Sequence, residues 1–302
     1  MSAAARCAAA NCASVRTTLC LTAVSPPPAC CARSARPTIH HSKACQVQAF
    51  FMGDHMEHAT LLAIQAHAAA EYPRECCGLI VLSKTGEQYR QCRNLAATPS
   101  EHFILPAEDY AAAEDAGQIV ALVHSHPNAS AHASDADRAM CEASGLTWHI
   151  ISVGQVDGAP ECGEVQTIQP SGYVAPLVGR QFAHGVLDCY TLVRDFYARE
   201  MGIELSQYER ADDWWNKGGD LYALERLQAE GFAEIQDEPQ RGDLIVMQIR
   251  APVPNHAGVY LGEGQMLHHL ADRLSARVPY GGYWADRTVR VVRHKLATGG
   301  AA

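Results

Sequence analysis

The sequence predicts a chain of two units, α/β in its first part and α+β in its second, and three observations carry that expectation. Segments of helical and strand period alternate from residue 56 to residue 153. Two helical segments and then a series of short apolar runs follow between residues 188 and 292. Between the two parts, the stretch from Glu164 to Gly179 loses periodicity and holds Pro170, Gly172 and Pro176, as a linker does. A length of 302 residues suits two cores, because a single core seldom grows past about 250–300 residues.

In chain order, residues 56–71 place Met56, Ala59, Leu62, Ala63, Ala66 and Ala70 at helical spacing, with Pro73 as a stop. Cys77–Leu82 is an unbroken apolar run of strand length, 106–116 reads as a helix, and the β-branched run from Ile119 predicts a buried strand over 119–124. A polar loop to Ala133, a helix over 134–143 and a strand over 147–153 complete the first unit. In the second, apolar residues at 189, 192, 193, 196 and 197 mark one face of a helix over 188–200, and residues 219–230 predict another helix. Strands are expected at 244–248, 257–261, 266–270 and 289–292. The expected division is an extension over 1–51, a first domain over 52–165, a linker over 166–177 and a second domain over 178–302.

Composition excludes several classes. Apolar residues make up 48% and charged residues 19%, the balance of a globular chain. No apolar run approaches the roughly 18–20 residues of a membrane-spanning helix, so no transmembrane segment is expected. Residues 1–53 hold five basic residues (Arg6, Arg16, Arg33, Arg36, Lys43) and no acidic one. The 19 other basic residues face 33 acidic ones, a net −14 that repels phosphate backbones, so no nucleic-acid partner is expected. Of the 12 cysteines, six lie in the first 50 residues and none forms a C-x-x-C pair, which argues against a zinc ribbon or a disulfide framework and for a reducing compartment. Residues 1–51 show no sustained period, and Pro26-Pro27-Pro28 interrupts any helix; their acid-free, Arg- and Ser-rich bias has the look of a transit peptide, and Leu19–Val24 that of a signal peptide. The expectation is an extension outside the functional protein, with Met52 or Met56 as the natural start.

Two groups of residues carry chemistry. His124-Ser125-His126-Pro127 ends the strand predicted over 119–124, so the two imidazoles project from one side, and Asp137 offers a third ligand at about 2.0–2.2 Å. Three protein ligands leave a fourth position for water, the pattern of a catalytic zinc site, although two His and one carboxylate also suit iron. Glu75 is the candidate general base and Ser134 the candidate oxyanion donor. Taken alone, Ser134 and Asp137 equally form a helix-capping box, and Glu75 a solvated charge. Glu75, H-S-H-P, Ser134 and Asp137, in that order and spacing, resemble the motif of the JAMM (MPN-type) metallopeptidases. The resemblance implies an α/β domain with His124, His126 and Asp137 as Zn(2+) ligands, Glu75 as acid/base and Ser134 as oxyanion donor.

In the second unit, Asp188-Cys189-Tyr190 opens a helix, where the dipole favours thiolate and a pKa below about 8.5 is expected. His256 begins a strand and is placed to accept the thiol proton, and His268 on the next strand to orient it, with His269 its rival; core filling is the plain alternative for Cys189. D-C-Y-T-L-V, R-G-D-L-I-V-M (241–247), N-H-A-G-V-Y-L-G (255–262) and M-L-H-H together resemble the NlpC-type cysteine peptidases of papain-like α+β fold, which cleave cell-wall peptides, over residues 178–295. Two positions depart from that pattern: Tyr190 stands where a small residue usually follows the nucleophile, and Phe182 and His184 occupy the region of an expected tyrosine. The fusion of both units, with E-Y-P-R-E-C-C-G-L, D-C-Y-T-L-V-R-D-F-Y and Y-G-G-Y-W (280–284), resembles the tail assembly proteins of lambda-like phages. That resemblance implies a bifunctional phage or prophage hydrolase located in the tail, or in the host cytoplasm during assembly, and acting on the cell wall. Its substrates would be peptidoglycan stem peptides or a tail protein, and its partners other tail proteins. The alternatives are a structural tail component with vestigial peptidase folds and a JAMM-type isopeptidase acting on a protein.

Overall fold

The computed structural model describes residues 56–297, so the extension expected over 1–51 lies outside the described residues. Two sheets organise the chain, one mixed and one antiparallel. The first unit holds α1 (His58–Glu71), β1 (Cys77–Ser83), β2 (Gly86–Cys92), α2 (Ala107–Ala116), β3 (Gln118–Pro127), α3 (Asp135–Ser144), β4 (Thr147–Val156) and β5 (Ala159–Ile168). Its five strands run in the order β2-β1-β3-β4-β5, with β3 and β4 parallel and the other pairs antiparallel. A parallel pair needs a crossover, and α3 provides it.

Strand alternation divides the core into two layers. Cys77, Leu79, Val81 and Leu122 face α2 and α3 and pack with Leu105, Ala113, Cys141 and Trp148. Cys76, Ile80, Ala121 and Val123 face α1 and pack with Ile64 and Ala68. The buried face of α1 is not the one its Ala and Leu spacing suggests. Thr60, Ile64, His67 and Ala68 are buried, whereas Leu62 is 51% exposed. An Ala-rich helix has little contrast between its faces, and the bond from His67 Nδ1 to Tyr89 Oη (2.9 Å) helps set its rotation. The hairpin strand β2, polar and half-exposed, gave no strand signal, and β5 runs to Ile168, so residues expected to begin the linker lie on an edge strand.

The second unit opens with α4 (Cys189–Phe196), whose last turn loosens into a π-turn over Tyr197–Met201, and continues through α5 (Leu224–Ala229) and β6 (Phe232–Glu234). The remaining strands are β7 (Leu244–Met247), β8 (His256–Gly262), β9 (Gln265–His268), β10 (Ala276–Pro279) and β11 (Thr288–His294). All pair antiparallel in the order β10-β9-β8-β7-β11-β6. The helix expected over 219–230 shrinks to its last two turns, because Leu221 and Tyr222 turn into the core under α4 instead of winding into a helix. Packed on α4 are Leu244, Val246, Ala257, Val259, Leu267 and Val292, and the opposite face of the sheet buries Ile245, Met247 and Met266. Among the described residues, no helix is long and apolar enough to cross a membrane, and the six described cysteines are free.

Leu79 is fully buried at the centre of the first unit, in one cluster with Trp148. Leu79→Ala is expected to cost about 2–5 kcal/mol, read as a lower urea midpoint for the unfolding that changes Trp148 fluorescence.

Candidate active sites

The end of β3 and the start of α3 meet at the first cluster. His124 and His126 share a face of β3 with Leu122, which turns both rings toward α3. Ser134 caps α3: its Oγ accepts from Asp137 N (3.1 Å), and Asp137 Oδ2 accepts from Ser134 N (2.7 Å) and from Ser134 Oγ (2.7 Å). This reciprocal box fixes the carboxylate, and Asp137 Oδ1 lies 3.2 Å from His124 Nε2. His126 Nε2 is 3.4 Å from Asp137 Oδ2 and 3.1 Å from His124 Nε2. The capping and ligand readings of Asp137 are therefore compatible, since Oδ2 serves the cap while Oδ1 faces His124.

The three donor groups offer atoms within 4.8 Å of one another and can hold a metal ion. The two separations made by His124 Nε2, 3.1 Å to His126 Nε2 and 3.2 Å to Asp137 Oδ1, suit it, because neighbouring ligands bound tetrahedrally at about 2.0–2.1 Å stand about 3.3 Å apart. His126 Nδ1 bonds to the Ser130 carbonyl (2.9 Å), so it carries the proton and leaves Nε2 a lone pair. His124 is fully buried between Phe103 and Trp148, with no partner for Nδ1 among the described residues, and burial holds its pKa down, in the neutral form that ligates. Burial would push Asp137 up, but the two imidazoles and Ser134 outweigh it and hold the carboxyl well below the usual range. Glu75 is buried and lines the same cleft as His126, Ser134 and Asp137. Burial pushes its carboxyl up to about 8, against the pull of His126 and with the push of Asp137. A carboxyl of that kind can hold a proton near neutrality, which the reading as a solvated charge does not provide.

The second cluster gathers where α4 meets the start of β8. Asp188 caps the helix, its Oδ1 accepting from Thr191 N (2.9 Å) and its Oδ2 from Gly185 N (3.0 Å). Arg210 completes the cap, donating from Nε to Asp188 Oδ2 (2.5 Å) and from Nη2 to Gly185 O (2.7 Å) and Thr191 Oγ1 (2.9 Å). Burial disfavours the Asp188 carboxylate, but Arg210 and the Thr191 N–H outweigh it and lower its pKa. Cys189 Sγ lies 3.4 Å from Tyr222 Oη and against the Ala257 N–H, one residue on from His256. His256 Nε2 is 3.1 Å from His268 Nδ1, because β8 and β9 pair Gly258 with His268 and so put both rings on one sheet face. His269 points elsewhere, buried against Phe182, with neither ring nitrogen hydrogen-bonded among the described residues. The carbonyls of Arg180 and Arg273 lie near that ring but outside hydrogen-bond geometry.

One expectation requires correction. The helix start was to lower the Cys189 pKa, but burial pushes the thiol up to about 11, with Asp188 adding to the rise and Tyr222 and the Ala257 N–H opposing it. Burial likewise lowers His256 to about 3 and His268 to about 4, with like-charge repulsion among the three histidines adding to both. Thiol and imidazole are both neutral at pH 7, and among the described residues no hydrogen bond joins Cys189 to His256. Sequence reasoning did not find Tyr222, Arg210 or Trp284, whose ring centroid lies 4.4 Å from that of His268. None belongs to the motif stretches of its site except Trp284, which stands in Y-G-G-Y-W.

With this geometry in hand, comparison with known proteins defines the class. Residues 57–166 match the family model for prokaryotic homologues of the JAB domain, and residues 179–293 match the NlpC/P60 family. The chain is thus a fusion of a JAB-like and an NlpC/P60-like domain. It belongs to the family of tail tip assembly protein K of lambda-like phages. It is 48% identical over 248 residues to that protein from Escherichia phage N15, covering 82% of this chain and 99% of the relative. To the protein of the same name from Escherichia phage lambda it is 41% identical over 189 residues, covering 62% and 88%. The solved structure of protein DSY2949 from Desulfitobacterium hafniense covers 37% of this chain and 87% of its own at 21% identity. Its TM-score of 0.28 is too low to bear on the fold.

Asp188 and Arg210 are both almost completely buried. Arg210→Met is expected to cost about 3–5 kcal/mol at pH 7, because it strands a buried carboxylate; the check is the thermal unfolding midpoint against wild type. The sign fixes the pH window. With its folded pKa depressed, Asp188 contributes stability above the ordinary carboxylate range and loses it as pH falls through the folded value, so the difference between variant and wild type should shrink in acid.

Proposed function

We propose that the chain is a bifunctional peptidase of a phage or prophage tail, with a zinc-dependent amide hydrolase over residues 52–165 and a thiol-dependent peptidase over residues 178–302. Residues 166–177 join them, and 1–51 are an extension outside both. The observation that carries this reading is the convergence of His124, His126 and Asp137, from the end of a strand and the first turn of a helix, beside a buried carboxyl. A bound zinc ion would act as a Lewis acid and lower the pKa of a water to roughly 7.

The chain's own residues perform the rest. His124, His126 and Asp137 would hold the ion, and the Ser134 backbone N–H keeps Asp137 from turning away. Glu75, buried and lining the same cleft as the ligands, would take a proton from the attacking water and deliver it to the leaving amine. Ser134 supports the oxyanion by swinging its hydroxyl proton from Asp137 Oδ2 into the cleft. In the second unit, Cys189 Sγ attacks the carbonyl carbon while His256 accepts the thiol proton. His256 then returns that proton to the departing amine, oriented throughout by His268. Because thiol and imidazole rest in their neutral forms, the proton moves during attack rather than before it. The resemblance to cell-wall peptidases supports peptidoglycan stem peptides as substrate of the second unit. For the first, a tail protein is the substrate the family's role in tail assembly supports, with other tail proteins as partners in the tail or in the host cytoplasm during assembly.

A second reading, a structural tail component with vestigial peptidase folds, is favoured by one observation: Cys189 bonds to Tyr222 rather than to a histidine. The same experiments separate the two. Mass spectrometry under native conditions is expected to show one zinc per chain, lost in the His124→Ala, His126→Ala double variant. Glu75→Gln is expected to keep the metal and to lose hydrolysis by a factor of about 10²–10⁴; zinc retained by the double variant would sink the metal site. For the second unit, purified stem peptide incubated with the full chain is expected to be cleaved, and Cys189→Ala to abolish cleavage. Tyr222→Phe is expected to shift the pH profile of Cys189 alkylation by iodoacetamide upward, since it removes a hydroxyl that stabilises the thiolate.

A further inference from the structure

The metal-ligand cluster is walled by the other half of the chain. Glu75, His126, Ser134 and Asp137 stand along one side of a cleft of about 880 Å³, and residues 181–187 and 207–212 of the second unit form much of the other. Two sets of contacts tie the walls together. Asp212 Oδ2 accepts from Ala97 N (3.1 Å) and lies 3.6 Å from His102 Nε2. Asp135 accepts from Tyr173 Oη (2.7 Å) and from Gln181 N (3.4 Å).

The size of the cleft falls in the range that takes a small ligand or a short extended peptide and is far below what a folded domain needs. Its second-unit wall is mixed: Arg194, Asp195, Arg199 and Glu209 line it, and two further charges there are already engaged. Arg210 is consumed by Asp188, and Asp212 by Ala97 and His102. The apolar part of that wall includes Val186 and Phe182, whose ring also packs on His269, and Phe103, Leu105, Met140 and Trp148 of the first unit line the same cleft. Polar groups suited to an amide lie along the cleft beside these apolar side chains.

We propose that this cleft is the substrate site of the metal centre, that it takes an extended peptide with an apolar residue beside the scissile amide, and that Phe182 is a specificity-determining residue contributed by the second unit. The inference rests on the metal-site reading above and deepens it. An amide seated between Glu75 and the ligand cluster would direct a flanking side chain across the cleft to the aromatic ring of Phe182, so the first unit alone would bind such peptides poorly.

Two metal-chelating probes test this on the zinc-loaded full chain by titration calorimetry: acetohydroxamate, which reaches only the metal, and acetyl-Phe-Leu-hydroxamate, which adds apolar side chains. The peptide probe is expected to bind wild type more tightly than acetohydroxamate. Phe182→Ala is expected to weaken the peptide probe by about tenfold, leaving acetohydroxamate affinity and zinc content unchanged, and Phe182→Leu to restore most of the loss. Should Phe182→Ala fail to fold, Val186→Ser on the same wall is expected to show a loss of the same kind. If acetohydroxamate fails to bind wild type, the metal-site reading falls and this inference with it. If acetohydroxamate binds but the peptide probe gains nothing, or its gain survives these wall substitutions, the cleft proposal alone is overturned.

Discussion

The capping box between Ser134 and Asp137 is the interaction on which the first site depends. A carboxylate beside two imidazoles is useful only if it is held there, and an Asp in a first helical turn is free to rotate unless both its oxygens are engaged. Here Oδ2 closes the cap while Oδ1 meets His124. The local energy that starts α3 thus also aims a donor atom. The register of β3 against β1 and β4 does the matching work on the other side, since a slip of one residue would turn both histidines toward α1.

The second site repeats the device with different chemistry. Asp188 caps α4, and the residue after it is the thiol. Burial opposes ionisation of that thiol and the Asp188 carboxylate adds to it, while Arg210 balances the carboxylate and binds the preceding loop at Gly185. Electrostatics and geometry therefore pull in opposite directions at Cys189. The sulfur lies against Tyr222 and the Ala257 N–H, yet burial disfavours its ionisation.

Most of the fold and the polar core of each site were legible, for one physical reason: the deciding signals are local. Strand parity puts His124 and His126 on one side, and a cap signature places Asp137. The twelve-residue step from His256 to His268 spans one hairpin, so the choice of His268 over His269 as the partner of His256 follows from register, although the sequence alone left it open. What escaped was set by tertiary contact. The buried face of α1 is chosen by Tyr89 and the sheet rather than by a run of alanines, and the strands β2, β6 and β10 lack an apolar face to announce them. Tyr222 reaches Cys189, and Arg210 reaches Asp188, from loops 33 and 22 residues away, distances at which spacing carries no information. The pKa of Cys189 is likewise a property of packing, which outweighs the helix start that the sequence does reveal.

Residues 181–187 wall the cleft of the first unit and lead directly into Asp188 and Cys189. A chain split anywhere between Ile168 and Gly179 would leave each polar cluster whole, yet it would leave the first half with a cleft open on one side. The linker then serves as more than a tether, because it keeps a borrowed wall at hand in a permanent one-to-one ratio. Two halves made from separate reading frames would have to find each other before that cleft had both its walls, and covalent fusion removes that search.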